Sequence, residues 1–416
     1  MRRSIGALRR QIGTWHEAAA GLERAVRHIS LTKLAVLAAV FLLFGARAHA
    51  AENQLDRVVN EAIRPVMEQN DVPGMAVAIT VQGKRYFFYY GVASKQSGQR
   101  VAEDTLFEIG SVSKTFTATL AGYALARGTM SLADNASKHL PALAGSAFDR
   151  VSLLDLGTYA AGGLPLQFPG NVTDLQKAIA WCKAWRPAYA AGEYRVYSNP
   201  SIGLFGHLVA RSMGKPFEDV MEQTLFPALG LSRTYIRIPQ AQTGNYASGY
   251  SKDNKPMRMM PGVLGSEAWG VKSTAADMIK YVEANINSAS LDEPLRRAIA
   301  TTHTAYYKVG DTMQGLGWEM YAWPVDLDRL LAGNSPQMTF KPNKVSRLSP
   351  PLPPQKNVLL NKTGSTNGFG AYVAFVPARG IGIVMLANKN YPLPARVKAA
   401  HRILTALDSQ GPPGTR

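Results

Sequence analysis

Strand-forming segments lie near both ends of this 416-residue chain, and helix-forming segments fill the stretch between them. Near the start, Met75 to Thr80 is rich in Val, Ile and Ala. Gln82-Gly83-Lys84 follows as a turn signal, and Tyr86 to Val92 is aromatic and β-prone. Near the end, Ala371 to Val376 and Ile381 to Leu386 are apolar runs around Pro377-Ala378-Arg379-Gly380. Helical spacing marks the flanks: Leu55, Val58, Val59, Ala62 and Val66 on one side, Val397, Ala400, Leu404 and Leu407 on the other. The economical arrangement joins both strand pairs into one antiparallel sheet packed against helices. The expected fold class is therefore α+β. An α/β lobe comes from residues about 51–100 and 250–416, and a mostly α-helical lobe from about 100–250. A cleft between the lobes is the default site. Ser349 to Gln355 (SPPLPPQ) reads as a Pro-rich surface loop.

Composition removes several function classes. Apolar residues make up 46% and charged residues 18%, so the bulk of the chain can bury a core and is not disordered. The single cysteine, Cys182, excludes a disulfide framework and a Cys-based zinc site; it reads as a packed residue. The seven histidines are scattered without an H-E-x-x-H, and His207 and His303 read as structural. No metal and no cofactor are expected. Net charge is +17. Eight basic and two acidic residues lie in the first 50, leaving 38 against 27 spread over the rest. A dispersed excess of this kind does not make a nucleic-acid patch, and it equally suits small anionic substrates.

Leu34 to Phe44 (LAVLAAVFLLF) is too short to span a bilayer comfortably. Lys33 precedes it and Ala48-His49-Ala50 follows. Basic, apolar, then A-x-A is the layout of a secretory signal with cleavage after Ala50. Residues 1–50 are therefore expected to be a removed signal region, with 1–30 a start-site artefact and translation beginning near Leu31. The expected product is periplasmic, monomeric and not held at the membrane.

Three short motifs carry chemistry. Ser111-Val112-Ser113-Lys114 opens a helix predicted over GSVSKTFTATLAGYALARG and closed by Gly128. Ser111 and Lys114 share a helical face, so the lysine can lower the serine's proton affinity or accept its proton. Tyr197-Ser198-Asn199 is the second. A tyrosine between two ammonium groups favours phenolate, and Asn199 can donate to a substrate carbonyl. Lys362-Thr363-Gly364-Ser365 is the third, placed on a strand adjoining Gly370 to Val376, at an edge. Lys362 supplies a cation for a carboxylate, and Gly364 permits close approach of a ligand. The Ser365 N–H can complete an oxyanion hole with the Ser111 N–H.

The three motifs in this order resemble the penicillin-recognising serine hydrolases, whose S-x-x-K, S-D-N and K-T-G elements are known signatures. Here the middle element is Tyr-Ser-Asn, which resembles the class C β-lactamases, or cephalosporinases. FEIGSVSKTFTA, AGGLPLQFP, YSNPSIGLFG, QGLGWEM and LLNKTGSTNGFGAYVAFVP extend the likeness along the chain beyond residue 50. The resemblance implies a β-lactamase/transpeptidase-like fold and hydrolysis of a β-lactam through an acyl-enzyme on Ser111, giving antibiotic resistance. It implies that Lys114 and Tyr197 share the proton transfers, with the base unassigned between them. Gln167 and Asn199 would orient the acylamide side chain. Lys362 and Thr363 would hold the carboxylate region, and Asn390 and Arg396 would lie near that carboxylate.

Two positions depart from the family pattern. Leu393 stands where Asn is usual before Pro-Ala-Arg, removing one carboxylate-side hydrogen bond. Trp269 stands where Tyr is usual in E-A-Y-G-V-K-S, reshaping the side-chain pocket. A D-alanyl-D-alanine carboxypeptidase or esterase of the same fold would keep Ser111, Lys114 and Tyr197, and Lys362 argues against the esterase. A penicillin sensor would acylate and stop. A basic surface-binding protein rests on charge alone.

Overall fold

The computed structural model describes residues 53–409. The signal region and its cleavage point lie outside them. The chain divides into two units, Met1–Val59 and Asn60–Arg416. Of the first, 53–59 is described and is helical; the second begins with helix over 60–69 and holds everything that follows.

A nine-stranded antiparallel sheet organises the second unit. Its strands in chain order are β1 (Gly74–Val81), β2 (Lys84–Gly91), β3 (Ala305–Val309), β4 (Thr312–Gln314), β5 (Glu319–Ala322), β6 (Ser346–Leu352), β7 (Val358–Ser365), β8 (Gly370–Val376) and β9 (Ile381–Ala387). In space they run β6-β3-β4-β5-β7-β8-β9-β1-β2. Residues from the two ends of the unit thus meet at β1 and β9, with Met75 opposite Ala387 and Val81 opposite Ile381. The β1–β2 hairpin closes through Gln82 and Gly83, both at positive φ (52° and 83°), the geometry that matches strand twist in a two-residue turn. Every residue of β8 and β9 is buried, so both faces of this part of the sheet are covered, which is why these strands read as continuous apolar runs rather than alternating ones. Helices Ala275–Ile286 and Leu393–Ser409 pack on β9.

Two sequence expectations are corrected here. β7, expected at an edge, is the fifth of nine strands and pairs with β5 and β8. The Pro-rich segment is largely strand: Ser346–Leu352 pairs with β3 across a register shift. An edge strand needs only one side of its backbone for pairing, so prolines that cannot donate are tolerated there.

The helix Ser113–Ala126 is buried on nearly all sides, and so runs through the core rather than over it. Its polar residues are satisfied inside. Thr115 Oγ1 donates to the Val112 carbonyl (2.8 Å), and Thr119 Oγ1 to the Thr115 carbonyl (2.9 Å). Ser113 Oγ accepts from the Val271 N–H at 3.1 Å. Gly122 lets helix Glu293–His303 approach, since a Cβ there would lie 2.6 Å from the Ala298 carbonyl oxygen. His303 and Cys182 are buried; His303 bonds Asn285 Oδ1 at 3.0 Å.

Candidate active site

Ser111 sits in a 3-10 turn, Gly110–Val112, and the α-helix begins only at Ser113. The helix expected from Ser111 thus starts two residues later. The hydroxyl caps nothing: neither the turn nor the helix has a side-chain cap bond. Instead Lys114 Nζ donates to Ser111 Oγ at 2.9 Å and to the Ala268 carbonyl at 2.8 Å. Lys114 is fully buried, and burial lowers its pKa to about 8. The Lys362 charge pushes the same way. A lysine in this setting can release or take a proton near neutral pH.

Tyr197 completes the group. Its ring centroid lies 5.2 Å from Lys114 Nζ, 5.2 Å from Lys362 Nζ and 5.4 Å from the Arg195 guanidinium carbon. Burial raises its pKa, but the Lys114 and Lys362 charges and a hydrogen bond with Ser111 overcome this, so the phenol is more acidic than an ordinary tyrosine. Helix Asn199–Ser212 starts just after it, capped by Ser198, whose Oγ accepts from the Ser201 N–H at 3.0 Å. The middle serine of Tyr-Ser-Asn is therefore a helix cap that fixes where Tyr197 and Asn199 stand.

Three neighbours were missed by sequence reasoning. Arg195 and Glu319 form a buried ion pair at 2.9 Å, and Glu319 Oε1 is also 3.9 Å from Lys362 Nζ. Arg195 further donates to Gln314 Oε1 (2.8 Å) and to the Met338 carbonyl (2.7 Å). Tyr159, at φ 65°, sets its ring 4.8 Å from that of Tyr197. A signal for Arg195 was present: it is two residues before Tyr197 on an extended segment, hence on the same side. Glu319 stands in the quoted QGLGWEM and pairs with Asn361, next to Lys362.

Ser111, Tyr197, Lys362, Thr363, Ser365 and Leu393 line one cleft of about 100 Å³, with Arg195 and Glu319 in its wall. The group that takes the Ser111 proton must itself be deprotonated, so the rate falls as pH drops through its apparent pKa. Lys362 lowers the pKa of both Lys114 and Tyr197, whichever of them is the base. Lys362→Gln is therefore expected to move the acid limb of kcat/KM to higher pH, by about 1 unit or more. A pH–rate profile with an unmoved limb would remove Lys362 from the electrostatics of the pair.

Gly364 also has a packing role that the sequence did not show. A Cβ there would lie 2.0 Å from the Ile109 carbonyl oxygen, and one at Gly110 (φ 52°) 2.5 Å from the Ser365 nitrogen. The glycine is needed so that β7 can press against the turn carrying Ser111. Gly364→Ala should lower stability by about 1–3 kcal/mol, because backbone rather than a movable side chain must yield. Urea unfolding would check this, and an unchanged midpoint would refute it.

The remaining expected residues separate. Asn199 is buried, with an Oδ1 that has no hydrogen-bond partner. Gln167 is exposed and outside the cleft lining, on a loop tied to the site by the Asn199 N–H to the Leu166 carbonyl (3.0 Å). Arg396, expected beside the substrate carboxylate, is fully buried instead. It donates to the Gly364 carbonyl (2.6 Å), Ser365 Oγ (3.0 Å) and Asn390 Oδ1 (2.7 Å). Its guanidinium is spent on holding the end of β7, and Asn390 is one of its acceptors. Gly370 makes the room, since a Cβ there would lie 2.7 Å from the guanidinium carbon. Trp269 lies outside the cleft lining. It stacks on Gly262 and Gly265 beside a separate 540 Å³ groove that includes Tyr246, Met259 and Lys272.

Comparison with known proteins shows the family. The Beta-lactamase family model matches residues 59–408. A β-lactamase from Pseudomonas fluorescens is 57% identical over 352 residues, covering 85% of this chain and 98% of that protein. A class C β-lactamase solved in complex with cefoxitin is 47% identical with a TM-score of 0.84, covering 86% of this chain and 99% of that one. A D-alanine carboxypeptidase from Burkholderia cenocepacia is 50% identical with a TM-score of 0.82, covering 85% and 99% respectively. The chain belongs to the β-lactamase family, as a hydrolase of the class C type.

Proposed function

We propose that this chain hydrolyses the β-lactam amide of penicillins and cephalosporins through a covalent acyl-enzyme on Ser111. The observation that carries the reading is the 2.9 Å bond from Lys114 Nζ to Ser111 Oγ, beside a tyrosine flanked by two lysines at the cleft. Ser111 Oγ attacks the lactam carbonyl, and its proton passes to the Lys114–Tyr197 pair. The Ser111 and Ser365 N–H groups receive the oxyanion; one such donor is typically worth about 10²–10³ in rate. The ring C–N bond breaks as the pair returns the proton to the leaving nitrogen. Water then attacks the ester, assisted by Tyr197 or the substrate's own amine, and frees Ser111.

Lys362 and Thr363 take the substrate carboxylate. Asn199 and Gln167 orient the acylamide, and the unpartnered Asn199 Oδ1 suits an amide N–H. Gly364, Asn390 and Arg396 act at one remove by shaping the end of β7. Leu393 puts an apolar side chain in the cleft, so carboxylate binding loses a hydrogen bond there. The two-lobed organisation, removal of residues 1–50, export to the periplasm and a monomeric state belong to the same proposal. Among the described residues, no helix is long and apolar enough to cross a membrane.

A D-alanine carboxypeptidase is the second reading, favoured by the solved relative of that name. The test incubates purified protein with a chromogenic cephalosporin and with a D-alanyl-D-alanine peptide, followed by intact mass. Rapid cephalosporin turnover with a transient adduct on Ser111 supports hydrolysis. A stable adduct with D-alanine release from the peptide supports the second reading. Salt-sensitive DNA binding without acylation would overturn both.

A further inference from the structure

Glu108 lies three residues before Ser111, is 1% exposed, and has no part in the roles above. Its side chain gathers three separate segments. Oε1 accepts from the Tyr246 hydroxyl (2.5 Å) and from the Met259 N–H (2.8 Å). Oε2 accepts from the Thr366 hydroxyl at 2.5 Å. Its own backbone is held in register opposite Lys272 by the pairing of Phe107–Glu108 with Lys272–Ser273.

The placement of these partners matters. Thr366 directly follows Ser365, and Glu108 is followed by Ile109 and Gly110, the residues pressed against Gly364 and Ser365. The two strands of chain that bear the Ser111 and Ser365 N–H groups are thus in van der Waals contact at the glycines. Immediately beyond that contact, the Glu108–Thr366 bond clamps them. Contact alone sets how close they come, while a hydrogen bond also sets how far they slide along each other. Met259 and Tyr246 line the groove that holds Trp269, so the same side chain ties that groove to the clamp.

We propose that Glu108 is a positioning residue for the oxyanion hole, fixing the separation of the Ser111 and Ser365 N–H donors through Thr366. This rests on the oxyanion role proposed above for those two groups. Both donors must meet one oxygen at about 2.7–3.1 Å, and a misplacement near 1 Å can cost about 10²-fold. The loss falls on the tetrahedral state and spares ground-state binding.

Thr366→Val tests this, because it deletes the clamp's hydroxyl at a partly exposed position while keeping side-chain shape. With the chromogenic cephalosporin, kcat should fall about 10- to 100-fold with KM within about twofold. The inhibition constant of a phenylboronate, which forms a tetrahedral adduct, should rise by the same factor, and Thr366→Ser should restore both. A folded Thr366→Val with kcat and boronate affinity within about twofold of the parent overturns the inference while leaving the Ser111 mechanism standing. A parent protein that turns over the cephalosporin with no adduct on Ser111 overturns the underlying reading, and the inference with it.

Discussion

Ser111→Ala is expected to abolish turnover of a chromogenic cephalosporin, lowering kcat/KM by about 10⁴-fold or more, since an unactivated water has no equivalent of the positioned hydroxyl. The fold should survive. Ser111 Oγ caps no helix; the Ala268 carbonyl also anchors Lys114, and what the variant removes from the ammonium is its bond with Ser111. Losing it costs about 0.5–1.5 kcal/mol of net hydrogen-bond energy. Steady-state rates, urea unfolding and intact mass after penicillin treatment check the expectation together. Retained turnover, or an adduct on another residue, would refute the nucleophile assignment.

Tyr197→Phe should lower kcat by about 10²–10⁴-fold, the range for a lost general acid–base group. The ring stays, so its contacts with Lys114, Lys362 and Arg195 persist and stability should change little. The hydroxyl's removal has a second effect with a definite sign. Tyr197 raises the pKa of Lys114 through its charge and its hydrogen bond. Without it, burial and the repulsion of Lys362 lower that pKa against the Glu319 charge alone, which raises it less than Tyr197 did. Residual activity that uses Lys114 as base should therefore have its acid limb at lower pH than the parent. A pH–rate profile of the variant measures this. Full activity would show that neither acylation nor deacylation passes a proton through Tyr197.

These two experiments also separate roles that coupling otherwise hides. Lys114 and Tyr197 titrate as a pair beside the Lys362 charge, so their apparent pKa values belong to the pair rather than to either member. Lys362→Gln and Tyr197→Phe perturb Lys114 in opposite directions, up and down respectively. A base at Lys114 follows both shifts, whereas a base at Tyr197 follows the first and disappears in the second.

Much of this molecule is written in local pattern. The hairpin at Gln82-Gly83, the runs 371–376 and 381–386, and the serine–lysine spacing of 111 and 114 each depend on residues a few positions apart. Strand and helix periods report such relations directly. Joining the two ends into one sheet is the economical arrangement of those runs, and β1 does pair with β9. What sequence could not decide is which distant side chains surround the site. Glu319 meets Arg195 and Lys362 across long chain separations, and no period links them. Arg396 is expected near the substrate carboxylate, because nothing local says that Gly370 has opened a buried seat for it. Gly364 reads as room for a ligand, and nothing local says that the Ile109 carbonyl lies 2.0 Å from where its Cβ would be. Local sequence sets the elements and the spacing of the reactive pair, because short-range sterics and burial act along the chain. Only tertiary packing decides the charges, the close backbone contacts and the clamps around that pair, because those energies depend on distance in space.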